Sequence, residues 1–302
     1  MQNVVEGASA GGPFDLTDDS AYRRWRDAKL AAYPARIEDL LVEIRDPEAL
    51  SGAERAAIVE RCGRANMAIY VCARPLDDEE ANRRAVLALG RRLDLTVAED
   101  HRSRDNDGLV RIELADTGGR AGYIPYTNRP IAWHTDGYYN YHGPNRAVVA
   151  MILHCARDAD GGDNGLLDHE IAYIRLRDED PGHIDALSRA DAMTIPANVE
   201  PDGKTREANA GPVFFVEPGS GRLAMRYTAR TRSIEWRDDP RARAAAAALT
   251  RLLADEPLIL RARLRPGMGL ACNNVLHDRT GFTTPASGGR LLYRIRYHTL
   301  IA

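Results

Sequence analysis

The sequence predicts a mainly β fold with flanking helices, and two observations point to it. From about Leu109 onward, short apolar segments alternate with turns rich in Gly, Pro, Asn and Asp. Before that residue, apolar side chains recur at helical spacing. Short strands with frequent turns favour a β-sandwich or barrel over a parallel α/β sheet. We therefore expect a β core with helices packed beside it.

The individual elements follow from the same patterns. Helical spacing predicts helices over 21–32, 53–66 and 79–93, and the apolar run MAIYVC over 67–72 predicts a buried strand. Beyond residue 109, strands are expected in LVRIEL, AVVAMILH, AMTIP, PVFFV, RLAMRY and RLLYRIRYHTL. One clear helix interrupts them over 240–254, where a proline begins a segment with a five-alanine run.

The chain is expected to form a single domain over residues 1–302, because no internal repeat or linker-like segment divides it. Residues 1–15 are small and polar and are expected to be mobile. A mostly helical N-terminal part should cover 20–108, and the β core with the functional site should cover 109–302.

Composition excludes several classes of protein. Hydrophobic residues make up 44% of the 302 residues and charged residues 28%, as in an ordinary globular protein. The 41 basic residues nearly balance 44 acidic ones, so we expect no nucleic-acid or anionic-membrane partner. No run of about 18 apolar residues predicts a membrane span, and the N-terminus lacks a signal-peptide pattern.

Four cysteines are scattered along the chain at Cys62, Cys72, Cys155 and Cys272, with no C-x-x-C pair. They are interpreted as small buried hydrophobic residues in a reducing compartment. We therefore predict a cytoplasmic, soluble protein.

The segment PIAWHTDGYYN carries the first functional signal, because His134 and Asp136 are separated by one residue. Side chains at this spacing share one face of a strand, so an imidazole and a carboxylate can bind one ion. On a helix they would point roughly 200° apart. A second copy, His183 and Asp185, follows Pro181 in an apparent helix start, so we interpret it as surface.

The C-terminal region supplies the second signal. His277 follows an apolar strand, and thirteen residues later a strand begins whose alternation puts four side chains on one face: Arg290, Leu292, Arg294 and Arg296. Arginines on a buried strand face are costly unless anions meet them. Guanidinium groups pair bidentately with carboxylates, so a ligand with one or more carboxylates is the expected partner.

Two histidines and one carboxylate that leave open positions suit non-haem Fe(II) oxygen chemistry. The pattern His134-x-Asp136, His277 and an arginine beyond it resembles the TauD/TfdA group of Fe(II)/2-oxoglutarate-dependent dioxygenases. The resemblance covers about Tyr123 to the C-terminus, and NNVLHDRTGF…RLLYR is its most specific part. It implies a double-stranded β-helix (jelly roll) with helices outside.

The resemblance also implies roles for individual residues. His134, Asp136 and His277 would hold Fe(II), and Arg290 would bind the distal carboxylate of 2-oxoglutarate. Asn164 stands where the family usually has a threonine that assists 2-oxoglutarate. An amide can still donate a hydrogen bond there.

A further group of residues is expected near the substrate. Arg294 matches a position that often meets an anionic substrate group, although Arg296 on the same face could compete. Aromatic residues beside the metal motif could line the pocket or belong to the core, and arginines in the segment 225–236 could bind substrate or face solvent. The predicted substrate-binding residues are Arg294, Tyr138, Tyr139, Tyr126, Asn128, Arg226 and Arg230.

The implied function is an oxygenase that hydroxylates an unactivated C–H bond of a small anionic or zwitterionic metabolite, such as an amino acid. Succinate and CO2 would be released, and desaturation or ring formation remains open. Two alternatives remain: a non-catalytic jelly-roll ligand-binding protein, and a zinc hydrolase that uses the same three ligands. The expected partner is a small molecule, and homo-oligomerisation stays open.

Overall fold

The computed structural model describes residues 11–74, 76, 78–95, 107–115, 123–199, 203, 205–230, 234–283 and 289–302. Of the expected mobile segment 1–15, residues 1–10 lie outside the described residues. So do residues 231–233, within the arginine-rich segment that begins at Met225.

The described residues form six α-helices: α1 (Asp19–Ala32), α2 (Gly52–Ala65), α3 (Glu79–Arg92), α4 (His169–Glu179), α5 (Pro181–Leu187) and α6 (Pro240–Asp255). Short 3-10 helices lie at Ile37–Leu40, Pro47–Ala49, Ile124–Tyr126 and Pro144–Arg146. The four helices predicted from apolar spacing correspond to α1, α2, α3 and α6, and their ends agree to within two residues. These predictions are confirmed.

The predicted helices begin where the sequence supplies a capping side chain. Ser51 accepts a hydrogen bond from the Glu54 backbone and Glu54 accepts one from the Ser51 backbone, which forms a capping box for α2. Asp78 caps α3 and Asp239 caps α6. Helix α2 ends at Asn66, whose φ of 56° is the left-handed conformation common at helix C-termini.

Helix α4 was not predicted, so the expectation of one clear helix after residue 109 is wrong. Most of its residues are buried, including polar ones such as His169 and Glu170. A helix buried on most sides has no single apolar stripe, and the periodicity that identifies a surface helix is lost. Helix α5 begins at Pro181, where the helix start was predicted.

The strands are β1 (Leu41–Ile44), β2 (Met67–Cys72), β3 (Val110–Glu113), β4 (Ile131–His134), β5 (Ala150–Arg157), β6 (Asp160–Gly161), β7 (Asn164–Leu167), β8 (Met193–Ile195), β9 (Asn198–Val199), β10 (Thr205–Arg206), β11 (Asn209–Gly211), β12 (Phe214–Val216), β13 (Leu223–Met225), β14 (Glu235–Trp236), β15 (Leu260–Ala262), β16 (Met268–Cys272), β17 (Leu276–Arg279), β18 (Phe282–Thr283) and β19 (Leu291–Tyr297). Each apolar segment predicted to be a strand overlaps one of them.

The largest sheet has six strands in the order β1-β2-β16-β5-β19-β3. Strands β1 and β2 are parallel, and the other pairs are antiparallel. Helix α2 contacts β2, and α3 contacts β5 and β19. Side chains from these helices and strands, such as Ile58, Leu89, Tyr70 and Tyr293, form one buried apolar cluster.

A second sheet has four strands in the order β15-β7-β17-β4. Strand β4 ends at His134, and the neighbouring strand β17 contains His277, so this sheet carries both predicted histidine ligands. Strands β18 and β6 form a separate short pair. Next to this pair, the Gly162 backbone donates a hydrogen bond to the Gly281 carbonyl.

The described residues divide into two compact units. One draws on Met1–Tyr33, Trp133–Ala147 and Leu167–Ile259 and contains α1, α4, α5 and α6. The other draws on Pro34–Ala132, Val148–Leu166 and Leu260–Ala302 and contains the six-stranded sheet. The mixture of helices with many strands confirms the predicted fold in outline. The strands of the described part close no barrel.

None of the helices in the described ranges combines the length and the apolar character that a membrane crossing requires.

Candidate functional site

The first part of the site is the end of β4 and the turn that follows it. His134 is the last residue of the strand and forms an antiparallel bridge with Thr228. The Thr135 backbone donates to the Tyr227 carbonyl at 2.9 Å, and the Tyr227 backbone donates to Thr135 Oγ1 at 3.0 Å. These bonds fix the backbone between His134 and Asp136.

The two side chains of the His-x-Asp motif lie side by side, as the extended spacing predicts. His134 Nε2 is 3.8 Å from Asp136 Oδ1. The Asp136 side chain is 1% exposed, and that of His134 is 13% exposed. Gly137 then takes a φ of 73°, which favours glycine and turns the chain directly after the carboxylate.

His277 is held in one tautomer by its own strand. Its Nδ1 lies 2.9 Å from the Val275 carbonyl, which can only accept a hydrogen bond, so Nδ1 carries the proton. The lone pair is therefore on Nε2, and such a second hydrogen bond is what metal-binding histidines usually make. The turn before β17 is also fixed, because the Asn274 side chain donates to the Val148 carbonyl at 2.7 Å.

The structure brings His134, Asp136 and His277 together, with one ligand atom of each within 4.8 Å of the others. Ligands of one ion bound at about 2.1 Å lie about 3–4 Å apart, so small side-chain rotations suffice to bind a metal. Two imidazoles and a carboxylate form the donor set of non-haem iron sites. The three residues fit Fe(II), and their role as ligands stays a prediction.

Arg290 precedes β19 and is 7% exposed. Its guanidinium lies over the Phe282 ring, 5.2 Å from the centroid. Gly162 lies beside it, and a Cβ at this position would be in ordinary van der Waals contact with Arg290 Nε, at 3.4 Å. Within the described ranges, no carboxylate or carbonyl accepts a hydrogen bond from Arg290. Burial lowers its pKa from the usual arginine value.

Arg279 is a buried arginine that the sequence analysis did not single out. Its guanidinium lies over the same Phe282 ring at 4.9 Å, and Nη2 donates to the Thr127 and Arg129 carbonyls at 2.7 and 2.5 Å. Burial, together with the charge of Arg290, lowers the pKa of Arg279 to about 9, so it stays charged at neutral pH. Its position two residues after His277, in the same strand, is the signal that could have identified it.

Asn164 begins β7 and is 6% exposed. Its Nδ2 donates to the Asp278 carbonyl at 3.0 Å, and its Oδ1 is buried without a hydrogen bond in the described structure. The Asp278 carboxylate accepts from the Gly165 backbone at 2.6 Å and pairs with Arg261 at 3.3 Å. Asp278 therefore fixes β7 against β17.

The arginine-bearing face of β19 follows the predicted alternation. Arg294 and Arg296 are 7% and 6% exposed, as buried as Arg290. The alternating residues on the other face join the apolar cluster of the six-stranded sheet: Leu291, Tyr293, Ile295 and Tyr297. One strand thus faces the apolar core on one side and presents buried cations on the other.

Arg226 is buried among backbone carbonyls. Its Nε donates to the Tyr138 carbonyl at 2.7 Å, and its Nη2 donates to the Asn209 carbonyl at 2.8 Å. Nη1 donates to the Met193 carbonyl at 2.9 Å and to the Gly211 carbonyl at 3.4 Å. Burial lowers the pKa of Arg226 to about 10. These contacts brace the segment after Asp136, and the predicted contact with substrate stays a prediction.

The remaining predicted substrate residues lie on either side of the metal motif. The Tyr138 ring packs edge-on against His134 at 6.2 Å and against Tyr139 at 5.3 Å. Arg230 is exposed and donates to the Tyr138 hydroxyl at 3.3 Å. Tyr126 is 6% exposed, and the exposed Asn128 accepts a backbone hydrogen bond from Phe282 at 3.2 Å.

Comparison with known proteins places the chain in a family. Residues 34–296 match the family described as "Taurine catabolism dioxygenase TauD, TfdA family". That match spans most of the chain. It confirms the resemblance inferred from the histidine, aspartate and arginine pattern.

Three solved structures share the fold. An asparagine oxygenase in complex with Fe(II), 2S,3S-3-hydroxyasparagine and succinate has a TM-score of 0.59 and 15% identity, over 95% of this chain and 86% of that chain. The non-heme iron oxygenase OrfP in complex with Fe, succinate and (3S)-hydroxy-L-Arg has a TM-score of 0.62 and 16% identity, over 83% of this chain and 82% of that chain. The PvcB protein from Pseudomonas aeruginosa has a TM-score of 0.55 and 16% identity, over 86% of this chain and 85% of that chain. By its sequence match, the chain belongs to the TauD, TfdA family of dioxygenases.

Proposed function

We propose that this protein is an Fe(II)- and 2-oxoglutarate-dependent oxygenase that hydroxylates a C–H bond of a small amino acid or a similar zwitterion. The overall reaction consumes substrate, O2 and 2-oxoglutarate and gives the alcohol, succinate and CO2. The observation that carries the proposal is the meeting of His134, Asp136 and His277 within 4.8 Å in a chain of this dioxygenase family.

The three ligand side chains are prepared to bind a divalent cation. The hydrogen bond from His277 to the Val275 carbonyl orients the ring and leaves the Nε2 lone pair for the metal. Buried Asp136 supplies the negative charge that offsets part of the charge of the ion. When bound, Fe(II) would supply the activation of O2 that is coupled to decarboxylation of 2-oxoglutarate.

Arg290 would bind the distal carboxylate of 2-oxoglutarate. Its guanidinium is buried, has no acceptor among the described residues and offers two parallel N–H groups. The contact orients the co-substrate so that its keto-acid end meets the metal. Asn164, which begins β7, would assist through the second N–H of its side-chain amide, since Nδ2 already donates once, to the Asp278 carbonyl.

The substrate side of the site is proposed from charge and from the related structures. Arg294 follows Arg290 on the same buried face and would bind an anionic substrate group. Tyr138, edge-on to His134, would line the pocket, together with Tyr139, Tyr126, Asn128, Arg226 and Arg230. Similar structures that hold succinate with hydroxylated asparagine or arginine support an amino acid as the substrate class.

We further propose that the six-stranded and four-stranded sheets are the two halves of a jelly roll, and that residues 1–302 act as a single catalytic domain. Family membership supports both statements. None of the four cysteines is in a disulfide bond in the described structure, which supports a reducing compartment such as the cytoplasm.

The test is the visible spectrum of the purified protein with Fe(II) and 2-oxoglutarate in the absence of oxygen. A weak metal-to-ligand charge-transfer band is expected, and His277→Ala should abolish it. His183→Ala, which changes a histidine of the second His-x-Asp motif on α5, should leave the band unchanged. A protein that retains zinc and shows no band would contradict the proposal and favour a hydrolase or a binding protein.

A further inference from the structure

Two buried arginines share one aromatic ring near the end of β17. Arg279 lies 4.9 Å and Arg290 lies 5.2 Å from the centroid of Phe282. Their exposed fractions are 5% and 7%. The two guanidinium groups are therefore held within about 10 Å of each other in a region that excludes water, where like charges repel more strongly than at the surface.

Within the described residues, no hydrogen-bonded acid balances the charge of this pair. Arg279 donates to the neutral Thr127 and Arg129 carbonyls, and no acid in the described part of the chain pairs with either arginine. Asp158 acts on Arg290 only at a distance, and its own ion pair is with Arg263 at 3.3 Å. Two buried cations without a paired anion favour the binding of an anion from outside.

The backbone around Phe282 is fixed by several hydrogen bonds. Its N–H donates to the Asn128 carbonyl, and β18 pairs with β6. The Thr280 backbone donates to the Asp163 carbonyl, while the Asp163 backbone donates to Thr280 Oγ1. These bonds fix the backbone that carries the ring, and Arg279, held by the Thr127 and Arg129 carbonyls, packs against the ring.

We propose that Arg279 is a positioning residue of the 2-oxoglutarate site, which holds Phe282 against Arg290 and adds a second positive charge that favours the distal carboxylate. This inference rests on the proposed function, because it assigns that carboxylate to Arg290. Arg279 itself is engaged by carbonyls and acts through the ring and through its charge.

The test compares two ligands in the full-length protein loaded with Fe(II) without oxygen, by titration calorimetry. 2-Oxoglutarate has the distal carboxylate and 2-oxobutyrate lacks it. Arg279→Gln should weaken 2-oxoglutarate binding about tenfold, the effect of one charge acting over about 10 Å at an effective dielectric constant near 20. Binding of 2-oxobutyrate should weaken by a smaller factor, because its single carboxylate would lie at the metal end, farther from Arg279.

Two further variants separate charge from structure. Arg279→Lys keeps the charge and should bind 2-oxoglutarate within about threefold of the wild type. Arg251→Gln removes an exposed arginine that pairs with Glu179 on the surface and should change neither affinity. If Arg279→Gln does not fold, Arg279→Met, which keeps an apolar stem over Phe282, replaces it.

An equal loss for both ligands, or no loss for either, would overturn the inference, and so would an Arg279→Lys variant as weak as Arg279→Gln. The proposed function fails in a different way. In that case the wild-type protein with Fe(II) would not bind 2-oxoglutarate more tightly than 2-oxobutyrate, before any arginine is changed.

Discussion

Arg226 directly follows β13 and Arg290 directly precedes β19. Both arginines are buried, and they differ in what their guanidinium groups contact. Arg226 donates to the carbonyls of Tyr138, Met193, Gly211 and Asn209. Arg290 meets the Phe282 ring and no hydrogen-bond acceptor in the described structure. Both sites are equally closed to water, with exposed fractions of 3% and 7%.

The difference separates an arginine that stabilises the fold from one that awaits a ligand. A buried cation is costly unless acceptors replace the water it loses. Backbone carbonyls do this for Arg226, so the folded chain is stabilised by its presence. For Arg290 the cost persists until an anion binds, and the affinity for that anion rises accordingly.

Arg226→Gln gives the largest expected effect in this comparison. The shorter side chain cannot reach all four carbonyls, and each buried carbonyl left without a donor costs about 1–3 kcal/mol. We expect the free energy of unfolding to fall by about 4 kcal/mol. Denaturant unfolding at neutral pH measures it. Arg243→Gln, which removes an exposed ion pair with Asp238, is the matched control and should change stability little.

A smaller loss of stability, below about 1 kcal/mol, would contradict the interpretation of Arg226 as part of the fold. Loss of substrate binding in a fully stable Arg226→Gln protein would instead support the contact with substrate predicted from the sequence.

Arg290→Gln should impair the binding of 2-oxoglutarate without lowering stability, the reverse of what is expected for Arg226→Gln. We expect the KM for 2-oxoglutarate to rise about a hundredfold, the value of a bidentate charge-assisted pair. The free energy of unfolding should stay the same or increase, because an unsatisfied buried charge is removed. Succinate formation at varied 2-oxoglutarate measures the first quantity, and denaturant unfolding of the metal-free protein measures the second. An unchanged KM would move the co-substrate role to Arg294 or Arg296.

His154 extends the comparison to a histidine whose two ring nitrogens are both engaged. The Tyr70 hydroxyl lies 2.9 Å from Nδ1, and Asn82 Oδ1 lies 2.8 Å from Nε2. Asn82 Nδ2 donates to the Leu76 and Asp78 carbonyls, so its Oδ1 must accept, and the proton is on Nε2. Burial lowers the pKa of His154 to about 4. The folded chain therefore holds a neutral imidazole.

The pH dependence follows from that depressed pKa. Above about pH 6.5 the ring is neutral in both states, and the full stability is present. As the pH falls from about 6.5 toward 4, only the unfolded chain takes up the proton, so stability is lost. Between pH 7 and pH 5 the wild type should lose about 2 kcal/mol more than His154→Gln. The same substitution at exposed His142 should leave the pH dependence of the wild type unchanged. Parallel pH profiles for wild type and His154→Gln would contradict the burial of a neutral ring.

The sequence predicts which candidate metal ligands lie together more completely than it predicts the fold around them. The His134-x-Asp136 spacing requires only an extended backbone, and β4 supplies it up to His134. The identical spacing at His183 lies on α5, where the sequence context had indicated a helix. Local pattern was sufficient in both places, because a strand and a helix orient residues i and i+2 differently.

What the sequence could not predict depends on contacts between distant segments. The bonds from Arg226 to carbonyls join residues from 138 to 226, and no local pattern encodes them. The same holds for Arg279, whose acceptors are about 150 residues away. Helix α4 was missed because the helix is buried on most sides and has no single apolar stripe. An arginine's charge can be read from the sequence, whereas its acceptors cannot.

Substitution of Arg157 should give the smallest effect. Its side chain is half exposed, and its one contact near Arg290 is with the backbone of the preceding residue, Gly289. Its Nε donates to the Gly289 carbonyl at 3.1 Å, and its Nη1 pairs with Glu79 at 2.9 Å. Arg157→Gln should raise the KM for 2-oxoglutarate about twofold and lower the free energy of unfolding by about 0.5 kcal/mol, because exposed ion pairs contribute little. Arg243→Gln again serves as the control. A tenfold rise in KM would mean that the Arg157 charge acts on the co-substrate itself, and the contrast between satisfied and unsatisfied arginines would then extend to the surface.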